Sequence, residues 1–76
     1  MQLMKIEFDP AADAVYIRLK DADVFDTKEA SQGIFIDVDE HDEPIGIEMI
    51  NASKRFAVQD LTRFTFDVFQ TPMAVA

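Results

Sequence analysis

Four segments of this chain alternate apolar and polar residues with a period of two, which is the pattern of β-strands that bury one face. In each segment, three apolar side chains fall on the same side. These inward sets are Met4, Ile6 and Phe8, then Val15, Ile17 and Leu19, then Ile34, Ile36 and Val38, and finally Ile45, Ile47 and Met49. Short strands with matching inward faces favour an antiparallel sheet, so we expect the rest of the chain to be arranged around one.

The connections between these segments predict two hairpins. Pro10 presets the φ angle of a type I turn, and Asp9 can accept hydrogen bonds from the turn backbone, so residues 9–13 join the first pair. Residues 39–44 form an acidic loop between the third and fourth segments. The registers that keep the inward faces together place Phe8 opposite Val15 in the first hairpin and Val38 opposite Ile45 in the second.

Two further elements are predicted next to these hairpins. Between them, we expect residues 26–30 to form an edge strand that is anchored by Val24 and Phe25. After the fourth strand, Asn51 is a suitable N-cap for a short helix over residues 52–56. The chain therefore combines a sheet with a small amount of helix.

The C-terminal region repeats the strand pattern. Phe64, Phe66 and Val68 alternate with polar residues and predict a C-terminal strand, and we expect the tail, residues 71–76, either to fray or to pack on a neighbour. The sequence thus predicts the α+β class for one small domain, residues 1–76. Its architecture is an antiparallel β-sheet of four to five strands, made of two hairpins plus a C-terminal strand, with one short helical segment.

The length of the chain limits its hydrophobic core. Seventy-six residues are close to the lower limit for a self-sufficient core, so a homodimer is a natural way to gain stability. The absence of cysteine excludes a disulfide scaffold, a thiolate metal site and a cysteine nucleophile. Because the apolar runs are too short to span a membrane and the N-terminus lacks the features of a signal peptide, we expect a cytoplasmic protein without membrane contact.

The net charge of −8 is concentrated in one segment. Residues 21–48 contain ten acidic side chains and a single basic one, Lys28. Such a field repels nucleic-acid phosphates and attracts a basic protein partner. The alternative is that the charge serves solubility alone.

Candidate partner-binding residues follow from this charge and from surplus apolar residues on the outward strand faces. A one-sided sheet would leave outward positions polar, yet Tyr16, Phe35, Ile50 and Phe69 fall there, so either the short helix or a second subunit covers that side. We lean to a homodimer. The predicted partner-binding residues are Asp37, Asp39, Glu40, Asp42, Glu43, Glu48 and Phe35.

Catalytic and metal-binding interpretations find little support in the residue pattern. The acidic loop could ligate a hard cation, but it lacks the glycine and the later bidentate Glu of an EF-hand, and His41 fits a surface histidine at a hairpin tip. No nucleophile, base and orienting group can be assembled. We therefore expect no catalytic residue, no metal ligand and no cofactor, and the alternative is a small-ligand or metal-dependent enzyme with its site at a homodimer interface.

Three stretches together carry a family resemblance. Residues 6–19 contain the string D-P-A-A-D-A-V-Y-I, residues 33–39 read G-I-F-I-D-V-D, and residues 45–55 contain G-I-E-M-I-N-A-S-K. In this order they resemble a bacterial family known as domain of unknown function 2283. The resemblance implies a compact α+β domain without established catalytic residues. Because some relatives are encoded beside small basic toxin-like proteins, it also implies an antitoxin-like role towards a basic partner.

Overall fold

A computed structural model describes residues 3–70 of the chain. Five strands form one antiparallel sheet with the spatial order β1-β2-β5-β4-β3, which confirms the α+β class. In chain order the elements are β1 (Lys5–Asp9), β2 (Ala14–Arg18), β3 (Asp26–Ser31), β4 (Ile34–Val38), β5 (Pro44–Ile50), the helix α1 (Ala52–Arg55) and a 3₁₀ turn (Val58–Thr62). Within the described residues, no helix combines the length and the apolar character that a membrane crossing requires.

The hairpin registers agree with the predicted inward faces. Phe8 pairs with Val15 across β1 and β2, and the inward residues of β4 and β5 pair in the predicted order as far as Ile36 and Ile47. The predicted pairing of Val38 with Ile45 is wrong, because a register shift after Asp37 places Val38 opposite Pro44. Such a bulge inserts an extra residue on one strand, and no local sequence signal announces it.

One face of the sheet, which we call the aliphatic face, is built from these inward residues. Its two central rows run across β1, β2, β5 and β4. They consist of Ile6, Ile17, Ile47 and Ile36 in one row and Phe8, Val15, Met49 and Ile34 in the other. Among the large apolar side chains, Val15, Val38 and Ile45 are buried, and the other residues of this face are only partly covered by the described chain.

The predicted edge strand exists as β3, but its anchors do not behave as expected. Phe25 donates its backbone N–H to the carbonyl of Val38 at 2.8 Å, which fixes the chain where β3 begins. The side chains of Val24 and Phe25 are nevertheless 51% and 72% exposed. The stretch is therefore fixed by a backbone hydrogen bond, while the two apolar side chains remain exposed.

The predicted C-terminal strand is wrong in the described part of the chain. Residues 63–70 belong to no strand, and the fifth strand of the sheet is β3. Alternation marks a segment that is able to form a strand, but a strand also needs a partner edge. The tail prediction for residues 71–76 lies outside the described residues.

The helix α1 is fastened to the first hairpin by Asp13. The Asp13 carboxylate accepts hydrogen bonds from the backbone N–H of Ser53 at 2.9 Å and from the Ser53 hydroxyl at 2.7 Å. The Asp13 carbonyl also accepts the N–H of Ala52 at 2.9 Å. Asn51 occupies the N-cap position as predicted, but its backbone is left-handed and its side chain makes no capping bond. The capping oxygen therefore comes from a residue 40 positions away.

The two aspartates of the first turn have different tasks. Asp9 accepts the backbone N–H groups of Ala11 and Ala12 at 3.0 and 3.3 Å, which is the predicted turn contact. Asp13 adopts a positive φ of 53°, which lets its side chain reach the helix. The motif that contains these aspartates thus encodes both a turn and a tertiary tie.

We predict that Asp13→Gly lowers the free energy of unfolding by about 1 kcal/mol, the usual value of a helix cap. Glycine accepts the positive φ without strain, so the variant removes the cap alone. Asp13→Asn keeps one side-chain oxygen and should lose less. Urea unfolding of the three chains measures the difference, and equal stabilities would contradict the capping role.

Candidate functional site

Seven acidic residues meet at one end of the sheet. Strands β2 and β4 both run antiparallel to β5, so the loops that follow them leave the sheet at the same end, beside the start of β3. We call this region the acidic end. Its carboxylates belong to Asp21, Asp23, Asp26, Asp39, Glu40, Asp42 and Glu43.

Asp39 organises the loop at this end. Its carboxylate accepts the backbone N–H groups of His41 at 2.8 Å and Glu43 at 3.0 Å, and it accepts a hydrogen bond from the Lys20 ammonium at 3.0 Å. The backbone N–H of Glu43, followed by the Lys20 ammonium, lowers the pKa of Asp39 to about 2. Asp39 is therefore ionised at neutral pH, and its oxygens are engaged by the chain itself.

The remaining carboxylates of the acidic end differ in how far they are neutralised. Asp42 forms an ion pair with Lys28, and its hydrogen bond raises the pKa of the lysine. Glu40 lies 3.5 Å from the Nε2 atom of His41. Among the described residues, Asp23 and Glu43 form no ion pair, so their charge faces solvent together with that of Glu40.

A shallow groove of about 320 Å³ crosses the acidic end. Residues 22–25 line one side and residues 39–41 line the other. The exposed Phe25 ring thus lies in a groove that Asp23 and Glu40 also line. An aromatic face next to carboxylates is the chemical environment that an arginine or lysine side chain prefers, because it combines a cation–π contact with an ion pair.

The sheet face opposite the aliphatic face is closed by a different structure, which we call the tyrosine bridge (Tyr16, Gly46 and Asp37). The Tyr16 ring extends from β2 over Gly46 in β5, and its hydroxyl donates to the Asp37 carboxylate in β4 at 2.8 Å. A Cβ at Gly46 would lie 2.8 Å from Cε2 of Tyr16 and closer still to its hydroxyl. The bridge therefore depends on glycine at position 46.

Two neighbours complete the bridge. Thr27 in β3 donates its hydroxyl to the other Asp37 oxygen at 2.6 Å, and the Arg18 guanidinium lies 5.4 Å from the centre of the Tyr16 ring. Burial, followed by the hydrogen bond and the negative charge of Asp37, raises the pKa of Tyr16. Tyr16 is consequently a protonated donor at neutral pH, which suits a structural link between strands.

The predicted partner-binding residues occupy two separate regions. Asp39, Glu40, Asp42 and Glu43 lie at the acidic end. The other three share the face of the tyrosine bridge, where Glu48 pairs with both Tyr16 and Phe35, and where Asp37 is bound by Tyr16 and Thr27. Four of the seven residues thus belong to the loop at the acidic end, and three belong to the strands that carry the tyrosine bridge.

Sequence reasoning missed two residues of these regions. Phe25 was expected to anchor the stretch before β3, and its place in the acidic groove has no local signal. Gly46 had a signal, since a glycine inside a strand often marks a close approach by another group. Among residues 3–70, no group of three or more histidine, aspartate or glutamate side chains is arranged to hold a metal ion.

The tyrosine bridge can be tested by titrating one residue, Tyr16. Tyr16 is the single tyrosine of the chain, so the ultraviolet absorption of tyrosinate follows its titration alone. We expect a midpoint above the ordinary value of 10.0, and Asp37→Asn should lower it because a hydrogen bond and a negative charge are removed. The charge-matched Glu40→Gln should leave the midpoint unchanged.

The raised pKa of Tyr16 also predicts how the stability of the fold changes with pH. Because the folded state favours the protonated phenol, this stabilisation is complete below the ordinary pKa and is lost as the pH rises through the folded pKa. A midpoint at or below 10.0, or one that ignores Asp37→Asn, would contradict the bridge.

Comparison with known proteins finds a family that matches the region containing the tyrosine bridge and the contact between Asp13 and Ser53. No curated protein and no solved structure matches the chain. The family model described as protein of unknown function (DUF2283) matches residues 5–53. The match spans β1 to β5 and the start of α1, including Asp13, Tyr16, Asp37, Gly46 and Ser53. Since it covers well over half of the sequence, this chain belongs to the DUF2283 family.

Proposed function

We propose that this protein is a non-enzymatic interaction module whose acidic end binds a basic protein. The observation that supports this proposal best is the groove in which Phe25 lies beside Asp23 and Glu40. A basic side chain of the partner fits this groove, with its charge against the carboxylates and its stem or guanidinium against the ring. Exposed aromatic anchors of this kind supply much of the energy of protein interfaces.

The charge of the acidic end supports association with a basic protein by a second route. Seven carboxylates gather there against Lys20 and Lys28, so the local field is strongly negative. Such a field speeds encounter with a basic partner and makes the affinity depend on salt. It disfavours nucleic acid, whose phosphates would be repelled.

The internal bonds of the acidic end determine which residues are available to a partner. Asp39 is occupied by Lys20 and by the loop backbone, and Asp42 is paired with Lys28. Asp23, Glu40 and Glu43 present their charge to solvent. We therefore assign direct partner contacts to Asp23, Phe25, Glu40 and Glu43, and a positioning role to Asp39.

The most specific form of this proposal is an antitoxin-like role. In this form the protein neutralises a basic, toxin-like partner by covering its positively charged surface. Neutralisation would require only tight and reversible binding, which an acidic groove with an aromatic anchor can provide. It requires no catalytic group on this chain.

Capture of proteins from the native host tests the proposal. Tagged wild-type protein should retain a basic protein at low salt and release it at high salt. The variant Asp23→Asn/Glu40→Gln should lose this protein. The control Glu7→Gln/Glu29→Gln changes the net charge equally but lies away from the acidic end, and it should retain the protein.

The identity of the captured protein and the behaviour of the two variants decide the outcome. Mass spectrometry identifies the protein, and titration of the purified pair gives its affinity. We expect the Asp23/Glu40 variant to weaken binding about tenfold or more, since each lost charged contact at an interface costs on the order of 1 kcal/mol or above. Equal binding by both variants, or capture of no basic protein, would contradict the proposal.

A further inference from the structure

The aliphatic face lacks a second layer over much of its area. An antiparallel sheet normally packs one face against helices or another sheet. Here Phe56, Leu61 and Phe64 line a groove with Val15 and Met49, so the end of the chain approaches one corner of the face. The opposite part, around Ile36 and Ile47, is only partly buried.

The residues that follow this corner are apolar and exposed. Residues 64–69, which we call the aromatic segment, have the alternating pattern of a strand but belong to none. Four of their side chains, those of Phe64, Phe66, Val68 and Phe69, are 71–83% exposed. One chain therefore carries a partly covered apolar sheet face and an unpaired apolar segment at the same time.

The charges favour a second copy as the occupant. Two chains of net charge −8 repel each other, so a self-interface has to avoid the acidic end. The central rows of the aliphatic face carry no charged residue, and the aromatic segment carries one, Asp67. Since every copy has both the face and the segment, a two-fold arrangement satisfies both at once.

We propose that two copies of this chain form a dimer in which residues 64–69 of each copy lie across the aliphatic face of the other. The aromatic segment supplies the second layer that its own sheet lacks. Phe66, in the middle of the segment, is the anchor of the interface. The acidic end stays outside it, so self-association and binding of a basic protein use different surfaces.

Light scattering of the full chain tests the dimer. Wild-type protein should have twice the chain mass of 8.6 kDa, and Phe66→Ser/Phe69→Ser should have the single mass. The control Phe25→Ser removes an equally exposed ring at the acidic end, and the dimer should persist. A monomeric wild type, or a double variant that remains dimeric, would overturn the proposal.

A milder variant keeps the test decisive if the double variant loses its fold. Phe66→Ala should raise the dimer dissociation constant about tenfold or more, measured by sedimentation equilibrium, while circular dichroism of the concentrated sample retains the sheet signal. An unchanged dissociation constant for Phe66→Ala would also overturn the proposal, because the segment would then lie outside the interface.

Discussion

A sheet with an apolar face requires a second layer, and this requirement dominates a chain of 76 residues. The five strands and their connections occupy residues 5–50, and the described part of the chain after β5 contains one helical turn, a 3₁₀ turn and the aromatic segment. These elements reach one corner of the aliphatic face. Within the described chain, long-range contacts between side chains therefore help to hold a sheet that has only one layer.

Two long-range ties perform this task within the chain. The tyrosine bridge links β2 to β4 across β5 and draws in β3 through Thr27, so side chains of three of the five strands share one hydrogen-bonded cluster. The tie between Asp13 and Ser53 fastens the first hairpin to the helix that follows β5. Both ties lie inside the region that matches the DUF2283 family, whereas the aromatic segment lies beyond it.

The sequence predicts the sheet well because its information is local. Alternation placed Ile36 opposite Ile47 and Phe8 opposite Val15, since a shift by one residue would turn every inward side chain outward. The misses involve partners that are distant or external. Asp13 looked like a turn residue because its partner, Ser53, is far away in sequence. Residues 64–68 looked like a strand, but no edge of the described sheet pairs with them. Phe25 was expected to anchor the stretch before β3, and its position in the groove depends on the loop of residues 39–41, which is distant in sequence.

The surfaces of the protein divide by chemistry. The acidic end carries charge and one exposed ring and suits a basic partner, whereas the aliphatic face and the aromatic segment are nearly uncharged and suit each other. The central claim is that the second layer comes from another copy. Isotope-filtered NMR of a mixture of labelled and unlabelled chains tests this most directly. We predict intermolecular contacts between the Phe66 ring and the Ile47 methyl groups. Contacts of Phe66 confined to its own chain, or no contact with the aliphatic face, would contradict the account.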